Sequence, residues 1–154
     1  MLHKSYIIII IFFLFFGKSL AKENVFIVLN IDDQIITNYD IIKESDYLKI
    51  LNPNLAQLNK KQIQEIAKNS LIKEIIKKKE IEKVLDLSKE NDFLNQYVVD
   101  LYTKLNFENE NDFKNFLFSS SNYSLDEIKK KINIELMWNE LIFLRYSDQI
   151  ILDK

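Results

Sequence analysis

The stretch that decides the fold is Val25–Asp40, VFIVLNIDDQIITNYD. Val25, Ile27, Leu29 and Ile31 alternate along it, which is the period-two pattern of a strand. Phe26 and Val28 make the opposite face apolar as well, so the strand is expected to be buried on both sides. Asp32-Asp33 is a polar break suited to a short turn, although it lacks the glycine that the tightest hairpins favour. Gln34–Thr37 reads as the return strand. Thr37 with Asp40 three residues on matches a capping box, with Asp in place of the commoner Glu or Gln. In that motif the threonine oxygen accepts a free N–H at the start of a helix. The stretch therefore predicts a small hairpin that feeds directly into a helix, with the rest of the chain packed around it.

Downstream the apolar spacing is helical. A first helix is predicted from about Asn38 to Leu51, with Ile41, Ile42, Tyr47, Leu48 and Leu51 as its stripe. Asn52-Pro53-Asn54 ends it, because proline biases the residue before it away from helical backbone. Leu55 to Asn59 is a connector. Asn59 with Gln62 caps a second helix that runs to about Lys83. Its wide apolar face, which includes Ile63, Ile66, Ala67, Leu71 and Ile75, marks it as central. Val84–Leu87 reads as a short extended link. Ser88 with Asn91 opens a third helix over about Lys89–Asn106, striped by Phe93, Leu94, Tyr97, Val98, Leu101 and Leu105. Asn109 to Asp112 starts a short fourth helix bearing Phe113, Phe116 and Leu117, and Ser119–Asn122 is a loop. Ser124 and Glu127 form a full capping box for a fifth helix reaching about Arg145. Its apolar positions include Ile128, Ile134, Met137, Leu141, Ile142 and Leu144, with Trp138 beside them. Gln149–Leu152 reads as a further strand able to pair with the hairpin. The expected fold is mainly α: about five helices, a small N-terminal β-hairpin and a C-terminal strand.

Composition agrees with long helices. Among 154 residues glycine and proline occur once each, at Gly17 and Pro53, so there is little turn punctuation for a many-stranded sandwich. A formal net charge of -2 gives no basic face for nucleic acid. The only basic runs, Lys77–Lys79 and Lys129–Lys131, lie beside Glu74, Glu80, Glu82, Asp126 and Glu127 and read as solvated helix faces.

The N-terminus has the three parts of a secretory signal. Lys4 precedes the apolar run Ile7–Phe16, and Ser19-Leu20-Ala21 supplies a small-x-small cleavage site. A membrane-spanning helix needs about 20 apolar residues, and Lys18 stops this run short of that. Cleavage is expected between Ala21 and Lys22, giving a signal peptide over 1–21 and a domain over 22–154. An uncleaved anchor is the rival reading, and both imply export.

The residue types of most active sites are missing after the leader. The one histidine is His3, and there is no cysteine, so the usual zinc ligands and nucleophile–base pairs are absent. No glycine-rich phosphate loop is possible, and no metal or cofactor is implied. Asp32-Asp33 is the obvious carboxylate pair, but a solvent-facing turn explains it better. Ser119–Ser121 lack a base partner and read as loop. No catalytic residue is assigned.

Asn30–Asp40, NIDDQIITNYD, resembles the opening of the mature SurA family of periplasmic chaperones, and the similarity continues through Ala67–Glu74 and Ile132–Leu136. That resemblance implies an N-terminal helical chaperone region in the periplasm, binding unfolded outer-membrane polypeptides as a holdase. The family's parvulin-type prolyl isomerase domains and its returning C-terminal segment have no match here, so the chain by itself is not expected to be an enzyme. The apolar surface such a segment would cover is expected to close up, to form a homodimer, or to belong to a longer reading frame. Phe116, Phe118, Tyr123 and Trp138 are the candidate client contacts, from a set of aromatics that also includes Phe93, Tyr97 and Phe113. A stripe at helical spacing is more often core, so Phe118 and Tyr123, which flank the polar loop, are the two expected to be exposed. Two alternatives stand beside this reading. One is the N-terminal part of a prolyl isomerase whose catalytic domain lies outside this chain. The other is an exported adaptor that binds one folded partner.

Overall fold

The computed structural model describes residues 24–147. The leader, its Ala21–Lys22 junction and the Gln149–Leu152 strand lie outside the described residues. In order, the elements are β1 (Ile27–Ile31), β2 (Gln34–Thr37), α1 (Asn38–Leu51), a 3-10 turn (Pro53–Gln57), α2 (Lys60–Ile81), α3 (Leu94–Lys104), α4 (Glu110–Ser120) and α5 (Leu125–Tyr146). The fold is mainly helical with one small antiparallel hairpin, as the spacing predicts.

The hairpin pairs Ile31 with Gln34, Asn30 with Ile35 and Leu29 with Ile36, with an irregularity between Ile27 and Leu29. Asp32 takes the left-handed conformation at φ 52°, which aspartate tolerates better than most residues, so the turn closes without glycine. Asn106 does the same after α3 at φ 65°. The Thr37 hydroxyl accepts the Asp40 N–H at 3.2 Å, and the Asp40 carboxylate accepts the Thr37 N–H at 2.8 Å. Asn59 with Gln62 and Ser124 with Glu127 close equivalent boxes on α2 and α5.

β1 is not buried on both sides. Leu29 and Ile31 face Ile36, Ile41 and Ala67, but Val25, Phe26 and Ile27 are 64%, 60% and 62% exposed. A strand is buried twice only when layers cover both faces. Here α1 and α2 cover one.

α2 is central, packed against α1, β2 and α5, and α5 joins it as a second spine. Ile128 and Leu136 join Tyr47, Leu94, Val98, Phe113 and Leu117 in the larger core. Ile134, Met137 and Leu141 join Ile81 in a second. α2 leaves Ile66 and Ile76 exposed, and the end of α5 likewise exposes Ile142, Phe143 and Leu144. α3 begins later than its cap pattern suggests. The Ser88 hydroxyl donates to the Asp86 carboxylate, and the Asn91 side-chain oxygen accepts the Phe93 N–H. Residues 82–89 are mostly turns and bends, with no extended link. This segment is held from across the molecule: the buried Asn133 side chain accepts the Asn91 N–H at 2.8 Å and donates to the Lys89 carbonyl at 2.9 Å. α4 runs on through Ser119 and Ser120, because serine hydroxyls at 119 and 121 bond the Phe116 and Leu117 carbonyls of its last turn.

Phe113 is fully buried with its ring 5.4 Å from that of Phe107. Phe113→Ala is expected to cost about 3–5 kcal/mol in urea unfolding, since it removes a large side chain and leaves a cavity. Phe118→Ala, on the exposed side of the same helix, should stay within about 0.5 kcal/mol of wild type. Equal losses at the two positions would contradict this assignment of the core.

Candidate functional site

The four candidate aromatics separate. Phe118 is 91% exposed. Phe116 is half-buried, and its ring lies 5.0 Å from that of Phe107. Together Phe107 and Phe116 line an open depression of about 430 Å³, with Ile50, Pro53, Ala56 and Leu105 completing its apolar wall. Asp46, Lys49 and Ser120 form its polar rim. Three features bring these groups together: the proline that ends α1, the Asn106 turn after α3, and the cap of α4 at Asn109.

Tyr123 is buried, not exposed. Its hydroxyl donates to Glu44 at 3.0 Å, and its ring lies 5.2 Å from that of Tyr47. A polar loop beside it is no bar to burial when the hydroxyl has an acceptor inside. Trp138 is half-buried against the Ile81–Leu141 core, with the Lys77 ammonium 5.9 Å from its ring centroid. Phe113 belongs to the core. Phe93 and Tyr97 are 65% and 51% exposed, one helical turn apart, and form an apolar pair that the four candidates do not include. A third apolar surface is the hairpin, where Val25–Val28 and Ile35 are all exposed.

Beneath the surface lies a charge cluster. Glu44 on α1 is fully buried. It accepts bonds from Ser70 of α2 at 2.7 Å and from Tyr123, and it pairs with Lys131 of α5 at 2.8 Å. Lys131 also pairs with Glu74, which in turn holds Lys78 at 2.7 Å, and the Lys131 ammonium sits 4.9 Å from the Tyr47 ring centroid. Lys131 is thus a part-buried tie between helices, which corrects the reading of its run as a solvated face at that one position. Among the described residues no buried side-chain nitrogen or oxygen lacks a partner. The signal for Glu44 was its position three residues from both Ile41 and Tyr47, on the buried side of α1.

Burial pushes the Glu74 carboxyl up, but Lys131 and then Lys78 outweigh it and hold the group below its usual range. Burial likewise works against the Lys131 charge, and the carboxylates of Glu74 and Glu44 overcome it and raise its pKa. The Tyr123 hydroxyl is pushed up by burial and by Glu44. At the start of α5, burial raises Glu127, while bonds from Lys43 and Ser124 bring it down to about 2.

Asp32 and Asp33 form the turn and share Lys79, at 2.7 and 3.0 Å, with both carboxylates largely in solvent. Among the described residues no group of three or more His, Cys, Asp or Glu side chains is placed to hold a metal ion. What the geometry offers is apolar contact area on a firmly tied frame.

Glu74 and Glu127 have folded pKa values below the ordinary 4.5, so their stabilisation is present above that pH and is lost as pH falls through the folded values. Lys131, raised above 10.5, stabilises fully below that pH and loses its contribution above it. Lys131→Met leaves the buried Glu44 carboxylate without a counter-charge, while Glu74 keeps Lys78, and is expected to cost about 3–5 kcal/mol near neutral pH. The deficit should shrink in acid, because the wild-type protein loses its own Glu74–Lys131 contribution as pH falls through the lowered Glu74 value. Urea midpoints for both proteins at neutral and acid pH test this; a gap that widens in acid would contradict it.

No family model matches the chain, and comparison with curated proteins and with solved structures gives no match.

Proposed function

We propose that the chain is an exported, mainly helical holdase domain that keeps unfolded outer-membrane polypeptides from aggregating in the periplasm. The observation that carries this reading is Phe118, 91% exposed on the helix that also supplies Phe116 to the apolar depression. Single exposed apolar residues are ordinary. Here Phe93 with Tyr97, and Val25–Val28, add further exposed apolar groups on other elements, and apolar patches on a folded surface mark interaction sites. The leader pattern, from Lys4 through Ile7–Phe16 to Ala21, supports export, and the resemblance of Asn30–Asp40 to the SurA opening supports the client class.

Such a surface works by shielding. Apolar side chains of the client lie against Phe118 and enter the depression over Phe107 and Phe116, so they are not free to meet one another. Each contact is weak, and the client loses conformational entropy when it is held, so affinity is modest and exchange is fast. Several small apolar surfaces accept varied sequences better than one shaped pocket. Release needs no nucleotide: the assembly machinery competes for the same apolar segments.

The test is light scattering of an unfolded outer-membrane β-barrel protein diluted from urea into the chain from Lys22 onward. Suppression near an equimolar ratio is expected, and Phe118→Ser should weaken it while leaving the circular dichroism unchanged. A folded chain that fails to suppress aggregation would overturn the holdase reading in favour of an adaptor for one folded partner.

A further inference from the structure

A cleft lies against the charge cluster, with Glu74, Lys131 and Tyr123 in its lining. It opens between β2, α2 and α5 and has a volume of about 390 Å³, within the range of roughly 300–1,000 Å³ common to small-ligand sites. Ile35 of β2, Leu71 and Ile75 of α2 and Ile134 of α5 give it apolar walls. Lys43, Lys78, Lys130 and Lys131 also line it, with Asp40, Glu74 and Glu127. Hydrogen-bonding capacity there is unevenly spent. Each carboxylate already accepts two or more bonds: Asp40 from the Thr37 N–H and hydroxyl, Glu127 from Lys43 and the Ser124 N–H and hydroxyl, Glu74 from Lys78 and Lys131. An ammonium has three donors. Lys78 meets one carboxylate, Glu74, and lies on its solvent side, with side-chain exposures of 42% and 18%. Lys130 is exposed and makes no ion pair among the described residues. Lys131 is turned inward to Glu44. With Glu44 counted, four ammoniums meet four carboxylates, so what the cleft still offers is donors, on Lys78 from α2 and Lys130 from α5.

We propose that this cleft binds a single-chain anionic amphiphile, a fatty carboxylate, with its head between Lys78 and Lys130 and its alkyl chain along Ile35, Leu71, Ile75 and Ile134. The site is separate from Phe118 and from the depression over Phe107, and the proposal does not rest on the holdase reading. The donor surplus chooses the head: a carboxylate accepts what the two lysines still offer, and such charge-assisted bonds are about twice as strong as neutral ones. A cationic head meets like charge. The lack of spare acceptors chooses the body. An alkyl chain enters the apolar walls without needing a hydrogen bond, whereas any polypeptide, a client or a second copy, brings an N–H at nearly every residue and loses water from it. Reach sets the chain's own end apart as well. Ile134 lies about 18 Å along α5 from Tyr146, while the four residues from there to Ile150 span at most about 14 Å.

The test is calorimetric titration of the full chain with dodecanoate, held below its micelle concentration, and with the neutral monoacylglycerol of the same chain. Dodecanoate should bind one to one, and the neutral lipid at least roughly tenfold more weakly. The double variant Lys78→Gln with Lys130→Gln should lower dodecanoate affinity by about the same factor and leave the neutral lipid unchanged. It spares Lys131, so the frame stays intact. Ile35→Ser, at an exposed position of β2, should weaken both lipids. Phe118→Ser should change neither. Equal affinity for the two lipids, dodecanoate binding untouched by the double variant, or no binding at all would overturn the proposal. Loss of dodecanoate binding in Phe118→Ser would assign it to the other apolar surfaces, with the same consequence. Binding seen only after removal of residues 148–154 would give the cleft to the chain's own end and overturn it too.

Discussion

Lys131 between Glu44 and Glu74 is the interaction on which the rest of the structure depends. One ammonium from α5 meets one carboxylate from α1 and one from α2, and Ser70 and Tyr123 occupy remaining acceptor positions on Glu44. Charges taken out of water stabilise a fold only when geometry and hydrogen bonding are complete. That requirement makes the cluster a register mark. Sliding α5 by one turn against α1 and α2 would separate the ammonium from both carboxylates at once. The hairpin inherits this order, because Ile41 of α1 and Ala67 of α2, on which Ile36 packs, come from the same two helices.

The polar interior is therefore complete while the apolar surface is not. Every buried polar side chain among the described residues has its partner, whereas Phe118, Phe93, Tyr97 and the outer residues of β1 stand in solvent. A domain that spent its large apolar residues only on stability would turn Phe118 inward, toward Phe113 and Leu117 of the same helix. Leaving it out costs hydrophobic burial of the order of 2 kcal/mol. A frame fixed by internal charge and capping tolerates such exposure, and this separation of a tied frame from adaptable apolar surfaces is what a binder of varied chains requires.

Where structure is set by neighbours in sequence, it was legible. The capping boxes at Thr37, Asn59 and Ser124 rest on contacts three residues apart, and α1 spans Asn38–Leu51 as its cap and the following proline dictate. Where a distant residue decides, the sequence misled. The Ser88–Asn91 pattern looks like a cap, but the backbone there is held by Asn133, 42 positions away from Asn91. Tyr123 looked like a loop aromatic because its acceptor, Glu44, lies 79 residues away. β1 looked doubly buried because an apolar strand carries no sign of whether a second layer exists. Of the candidate contacts, Phe118 is exposed, as its place beside the polar loop foreshadowed, while Phe116 on the same helix is half-buried. Phe93 and Tyr97 fall outside α3's buried face, which Leu94 and Val98 define, and a stripe drawn too wide hid that.

The most direct test is amide hydrogen exchange of the chain, alone and with an excess of unfolded outer-membrane β-barrel polypeptide. Client binding to a preformed frame is expected to slow exchange in the hairpin and around α4, and to leave the α1, α2 and α5 amides around Glu44, Ser70 and Lys131 as they were. Slowing spread evenly over the helices would mean that the client folds the domain as a whole. No slowing anywhere would mean that the exposed apolar surfaces do not hold unfolded chains, and either result would contradict the account.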